Sequence, residues 1–186
     1  MTITDTPIDN GVNTAALLAA RDALSGAPGA AEFTWRATTE WVHGTHSRST
    51  VNGFAGLGQE HEHRQTFTFL ADHPECFASE DRGATPVEIA LSALGSCLTA
   101  GVAAVAQNRG VQLRSVTAHL QGSMNVLGIL GADPDIRNGF NDVDVRFDVD
   151  ADASPEEIRA IVAQSQKRSA VFDLFTNPTN VTVSAG

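Results

Sequence analysis

Between Val143 and Val149 the chain alternates strictly, with Val143, Val145, Phe147 and Val149 set against Asp144, Arg146 and Asp148. A period of two sends alternate side chains to opposite faces of a pleated strand, so this segment predicts a strand with its apolar residues inward and its charges in water. Leu113 to Val126 carries a looser alternation at Val116, Ala118 and Leu120, and these two strands are expected to pair. Three extended segments precede them: Phe33 to Val42, Ser47 to Phe54, and Arg64 to Leu70. In the last, Gln65, Phe67 and Phe69 share one side, and Thr66 and Thr68 the other. Turns at His43-Gly44 and in the Gly53 to Gly58 segment make the three an antiparallel meander. Asn180 to Val183 is read as a short final strand.

Helices show in their boundaries. A short one is predicted from Asn13 to Leu24, stopped by Gly26-Ala27-Pro28-Gly29. At Thr85-Pro86-Val87-Glu88, Thr85 can cap, proline suits the first helical position, and Glu88 stands three residues after the cap to complete a capping box. This helix should run to Asn108, with Arg109 near its end and Gly110 supplying the left-handed stop. Ser154-Pro155-Glu156-Glu157 repeats the capping logic for a later helix with Ile158, Ile161, Val162 and Ser165 on one face. The long helix is apolar nearly all round, which requires cover on most sides. One meander and one amphipathic helix are too little to supply that cover, so a second subunit is expected. The prediction is an α+β fold of antiparallel sheets around a buried central helix, forming an intertwined homodimer. Residues 31–186 form the domain, and residues 1–30 form an N-terminal arm with a short helix.

Charge narrows the function classes. Twelve Lys and Arg face 22 Asp and Glu in 186 residues, a formal charge of -10 that removes the basic field used by nucleic-acid and anionic-membrane binders. Neither nucleic acid nor membrane is expected as a partner. The run from Pro86 to Ala106 nearly reaches membrane-spanning length, but it opens on Glu88 and is rich in Ala, Gly, Ser and Thr, so a buried core helix is the better reading. Met1 to Asn10 carries Asp5 and Asp9 and no basic-then-apolar run, so no export signal is expected. Cys76 and Cys97 fit neither a Cys-x-x-Cys pair nor a secreted disulfide framework, and the expected location is the reducing cytoplasm.

Cys97 lies well inside the long helix. Buried free cysteines commonly serve as small hydrophobes, and the dipole of its own helix fades within the first turn, so a thiolate there needs a cation from another segment. The histidines offer a rival chemistry, with His61 and His63 facing one way and His43 and His46 near a turn. No spaced cysteines or His-x-x-x-His helix accompany them, and the interleaved Glu60 and Glu62 suit a polar strand end, so no metal and no cofactor are assigned.

The run Thr85-Pro86-Val87-Glu88-Ile89-Ala90-Leu91-Ser92-Ala93-Leu94-Gly95-Ser96-Cys97-Leu98-Thr99 resembles the central helix of the OsmC/Ohr family of thiol-dependent peroxidases. Arg109-Gly110-Val111, Gly139-Phe140, Asp152-Ala153-Ser154-Pro155-Glu156-Glu157 and Asn177-Pro178-Thr179 follow in that family's order. The resemblance implies an interlocked dimer in which Cys97 attacks a hydrophobic organic hydroperoxide, with Leu94 and Leu98 in the walls. It also implies that Arg48 is the cation, with Arg36 a competitor. The chain departs from the family at two positions. Val87 stands where the hydroperoxide-resistance branch has a glutamate, Glu88 being left to cap the helix, and Ser169 stands where the resolving cysteine belongs. A serine cannot close a disulfide, so the expected reductant is an external thiol, with Cys76 as the rival resolver. The alternative to an active peroxidase is a catalytically impaired dimer that binds a hydrophobic small molecule.

Overall fold

Leu57 and Gly58 hold φ of +53° and +76°, the pair of left-handed positions that a two-residue hairpin turn requires. They join β3 (His46–Gly56) to β4 (Gln59–Ala71), so the predicted Gly53 to Gly58 turn shrinks to two residues and Gly53 and Gly56 lie inside a strand. Gly56 is needed there for space, because a Cβ would enter the Phe33 ring. The computed structural model describes residues 7–185, and most of the N-terminal stretch read for an export signal lies outside them. The described chain divides into two units, residues 13–90 and residues 91–185 with 7–12.

In the first unit, α1 (Thr14–Ser25) is capped by Asn13, whose side chain accepts the Ala16 amide at 3.0 Å. The predicted Phe33 to Val42 strand is two pieces, β1 (Thr34–Trp35) and β2 (Thr38–His43), interrupted at Arg36-Ala37, and both pair antiparallel with β3. β4 extends five residues earlier than predicted and takes in His61 and His63, which flank the Phe54 ring at 5.0 and 5.3 Å. Trp35, Trp41, Phe67 and Phe69 are exposed. At the end of the meander Asp72 is buried and accepts hydrogen bonds from the Thr45 hydroxyl at 2.6 Å, the Ser79 hydroxyl at 2.9 Å and the amides of His73 and Arg82 at 2.8 and 3.1 Å. The Thr45 bond first, and then the two amides and Ser79, outweigh burial and hold this carboxyl well below the usual range.

α2 (Pro86–Arg109) starts as the capping residues predicted, although the box is one-sided: Glu88 accepts both the Thr85 amide and the Thr85 hydroxyl at 2.8 Å. Within the second unit, Leu94, Gly95, Leu98, Val102 and Ala106 form its buried stripe, while Ala93, Ser96 and Ala100 are exposed. α2 is the one described helix long and apolar enough to cross a membrane, yet its stripe packs in a protein core.

β5 (Leu113–Ser123) and β6 (Asp142–Ala151) pair antiparallel in the predicted register of faces, Val116 opposite Val149, Ala118 opposite Phe147 and Leu120 opposite Val145. β5 stops three residues short of the expected Val126. Gly95 lets α2 press against this hairpin, since a Cβ there would lie 2.8 Å from Leu120 Cδ1. α3 (Pro155–Lys167) is capped by Ser154, which accepts the Glu157 amide at 3.2 Å, and it docks where Gly101 leaves room for Ser165. The Ser165 hydroxyl donates to the Leu98 carbonyl at 2.6 Å. Val102, Ala106, Val111 and Ile161 form the core, with Val116, Phe147 and Val162 against it. Asn10 ties its segment to the α2–β5 turn, its side chain donating to the Val111 carbonyl at 2.8 Å and accepting the Leu113 amide at 2.9 Å.

Two expectations fail at the C-terminal end. Asn180 to Val183 is not a strand: Val181 and Val183 are exposed, because no described strand edge is there to take up their backbone hydrogen bonds. A helix not predicted, α4 (Ala170–Thr176), forms instead just after α3, capped by Ser169.

Candidate active site

Ser169 brings α4 to α2. Its hydroxyl accepts the Phe172 amide at 3.1 Å, which is the capping bond, and donates to the Cys97 sulfur at 3.1 Å. The backbone amides of Ala170 and Val171, in the first turn of α4, add to this in favouring the thiolate. Burial pushes the Cys97 thiol up, but the Ser169 hydrogen bond first, and the two nearby amides after it, prevail and hold it below the ordinary thiol value. The sequence reading asked for a cation from another segment. The groups that favour the thiolate here are instead a donating hydroxyl and two backbone amides from residues 72 to 74 positions downstream.

Two cavities flank α4. A cleft of about 390 Å³ is lined by Gln166, Lys167, Ser169, Asp173 and Asn177 among others. The second, about 270 Å³, is walled by Leu94, one turn before Cys97 on α2, and by Phe140, Val145, Phe172 and Phe175. Phe172 and Thr176 line both. Leu94 and Leu98 are both buried, and of the two only Leu94 lines one of these cavities, neither of which is lined by Cys97.

A family model for OsmC-like proteins matches residues 79–184. The chain belongs to the OsmC-like family. Solved structures of similar fold include an OsmC-like protein from Mycoplasma pneumoniae, 15% identical with a TM-score of 0.58 over 76% of this chain and 86% of that one. An organic hydroperoxide resistance protein OsmC from Legionella pneumophila is 15% identical, with a TM-score of 0.54 over 77% of this chain and 89% of that one. One from Elizabethkingia anophelis is 13% identical, with a TM-score of 0.52 over 77% and 88%. At such identities the likeness is one of fold. No curated protein sequence matches this chain.

In this OsmC-like protein the remaining candidates stand as follows. Arg48 faces Glu40 across the β2–β3 pair and donates to its carboxylate at 2.9 Å, both side chains about half exposed. Arg36 is clamped by Glu60 in a two-bond fork at 2.7 and 2.9 Å. Glu88 is committed to Thr85, and Val87 is exposed. Cys76 is exposed on a short 3₁₀ turn, Glu75–Phe77. Of the histidines, His61 donates through Nε2 to the Gly56 carbonyl at 3.0 Å and His46 through Nδ1 to the Ala71 carbonyl at 3.2 Å. No three His, Cys, Asp or Glu side chains gather as a metal site among the described residues.

Sequence reasoning found Ser169 by the family's register and missed why it matters locally. The available signal was the N-cap itself: a serine followed by Val171, Phe172 and Phe175, apolar at helical spacing, with Asp173 in the first turn.

Proposed function

We propose that this OsmC-like protein is a thiol-dependent peroxidase that reduces organic hydroperoxides through Cys97. The observation that carries the reading is the Ser169 hydroxyl, at the start of α4, donating to the Cys97 sulfur at 3.1 Å, since the thiolate is the nucleophile and needs stabilising. In the first step Cys97 S⁻ attacks the terminal oxygen of the hydroperoxide. An S–O bond forms, the O–O bond breaks, and the alkoxide takes a proton to leave as the alcohol. Sulfur is oxidised to a sulfenic acid and the peroxide is reduced. Arg48 is proposed as the cation that holds the peroxide, acting in a homodimer.

Ser169 has no thiol, so the second step uses an external thiol. It attacks the sulfenic sulfur, water departs, and a mixed disulfide results; a second thiol then releases Cys97 and leaves as the small disulfide. Such thiols are held reduced in the cytoplasm, the proposed compartment. The apolar cavity beside Leu94 favours the second reading, a catalytically impaired dimer that binds a hydrophobic small molecule.

Stopped-flow consumption of cumene hydroperoxide decides between them. Wild type should consume it, Cys97→Ala should not, and Arg48→Ala should be slowed. Consumption that survives Cys97→Ala would remove Cys97 from the mechanism, and a wild type that consumes none would give the lead to the binding reading.

A further inference from the structure

The turn that joins α2 to β5 holds residues 8–10 through amide side chains more than through apolar packing. Gln107, in the last turn of α2, accepts the Asn10 amide at 2.6 Å and donates to the Ile8 carbonyl at 3.0 Å. Gln112, just before β5, accepts the Asp9 amide at 2.9 Å and donates to the Asp9 carbonyl at 3.3 Å. Ile8 and Asn10 thus present their backbone groups to one glutamine and Asp9 to the other, which is the alternation of an extended strand. The two side chains stand in for a neighbouring strand and satisfy the backbone of the segment. Apolar contact is slight: Ile8 is 36% exposed, and its Cδ1 stands 3.7 Å from the place of a Cβ on Gly110.

One side chain of the segment is read. Asn10 Nδ2 donates to the Val111 carbonyl at 2.8 Å, and its Oδ1 accepts the Leu113 amide at 2.9 Å and Gln112 Nε2 at 3.0 Å. Asparagine supplies the donor and the acceptor from a single planar group. Aspartate there has no proton for Val111 and sets a carboxylate against its carbonyl, and alanine leaves both backbone groups without their partner. Gly11, at φ +74°, then turns the chain, its amide donating to Asp9 Oδ1 at 2.8 Å. A hold on the backbone that ignores sequence, joined to one side chain that is read, is how peptides are recognised by strand addition. Residues 8–10 lie outside the family-matched segment, residues 79–184, whereas the residues that hold them lie inside it.

We propose that the α2–β5 turn is a peptide-binding site for an extended segment carrying asparagine, with the chain's own N-terminal arm as its tethered ligand. Tethering keeps the local concentration of the arm high, so a free peptide enters only where the arm's own hold is weakened. The site uses neither Cys97, about three turns before Gln107 on α2, nor a peroxide, and it stands whether or not the chain is a peroxidase.

Hydrogen exchange of the full chain, followed by NMR at the Leu113 amide, tests the site. Asn10→Ala should quicken that exchange about tenfold, the worth of one net hydrogen bond, and Asn10→Asp should do the same. The capped peptide Pro-Ile-Asp-Asn-Gly-Val, added in excess to Asn10→Ala, should return the exchange to the wild-type rate. Pro-Ile-Asp-Ala-Gly-Val should not, and a further Gln112→Ala change should abolish the rescue. Wild type, with its site filled, should respond to neither peptide. Exchange unchanged by both Asn10 variants would overturn the assignment. So would failure of the first peptide to restore protection, equal restoration by the second, rescue that survives Gln112→Ala, or a wild type that responds as the variants do.

Discussion

Replacing Ser169 with cysteine should restore an internal disulfide cycle. The Ser169 oxygen lies 3.1 Å from the Cys97 sulfur, and a disulfide needs about 2.05 Å between sulfurs. The gap to close is about 1 Å, part of which the longer carbon–sulfur bond of cysteine supplies. The two positions are 72 residues apart, and closing a loop of that size removes chain entropy worth about 4 kcal/mol from the unfolded state in the loop-entropy model. At roughly 2–4 °C per kcal/mol for a chain of this length, oxidation should raise Tm by roughly 8–16 °C, reversibly with dithiothreitol. The assay is intact mass spectrometry of Ser169→Cys in a Cys76→Ser background after one equivalent of cumene hydroperoxide. A loss of two hydrogens is expected, where the Cys76→Ser parent gains one oxygen as sulfenic acid or overoxidises. A double variant that gains oxygen as the parent does, with no loss of hydrogen, would refute the placement of Ser169 beside Cys97. A loss of two hydrogens in wild type, abolished by Cys76→Ser, would show Cys76 to be the resolver instead.

Three further outcomes follow from the same geometry. Alkylation of Cys97 by iodoacetamide should show a pH midpoint below that of an ordinary thiol, the rate falling as pH drops through it, and Ser169→Ala should move the midpoint upward because the largest favourable hydrogen bond is gone. Gly101→Ala should cost about 1–3 kcal/mol in urea unfolding, since its Cβ would meet the Ser165 hydroxyl that holds the Leu98 carbonyl. Asp72, depressed by its four donors, should add stability that is complete above its unfolded value near 3.9 and lost as pH falls toward its folded value. Circular dichroism on acidification should accordingly show a stability loss below about pH 4 that is diminished in Asp72→Asn.

What the sequence by itself determined is local. The alternation at Val143 to Val149 settled both a strand and its faces, because the pleat fixes a period of two whatever the strand packs against. The starts of α2 and α3 were legible because a cap is made by residues three apart, and the family was legible because its helix motif is contiguous. The same local rules misled at Val181 and Val183, where alternation is present but a strand also needs a neighbour, and neighbours are not written into four residues. They were silent on α4, whose seven residues are too few for periodicity to stand out and whose helix is stabilised by packing more than by propensity. Above all, the environment of Cys97 was decided by tertiary structure. Its own helix offers the thiolate nothing at that depth, and the donors that lower its pKa come from the first turn of a different helix, brought there by the docking of α3 at Gly101. Sequence spacing fixes which residues share a turn or a face; only the packing of one element on another fixes which charges and donors meet across it.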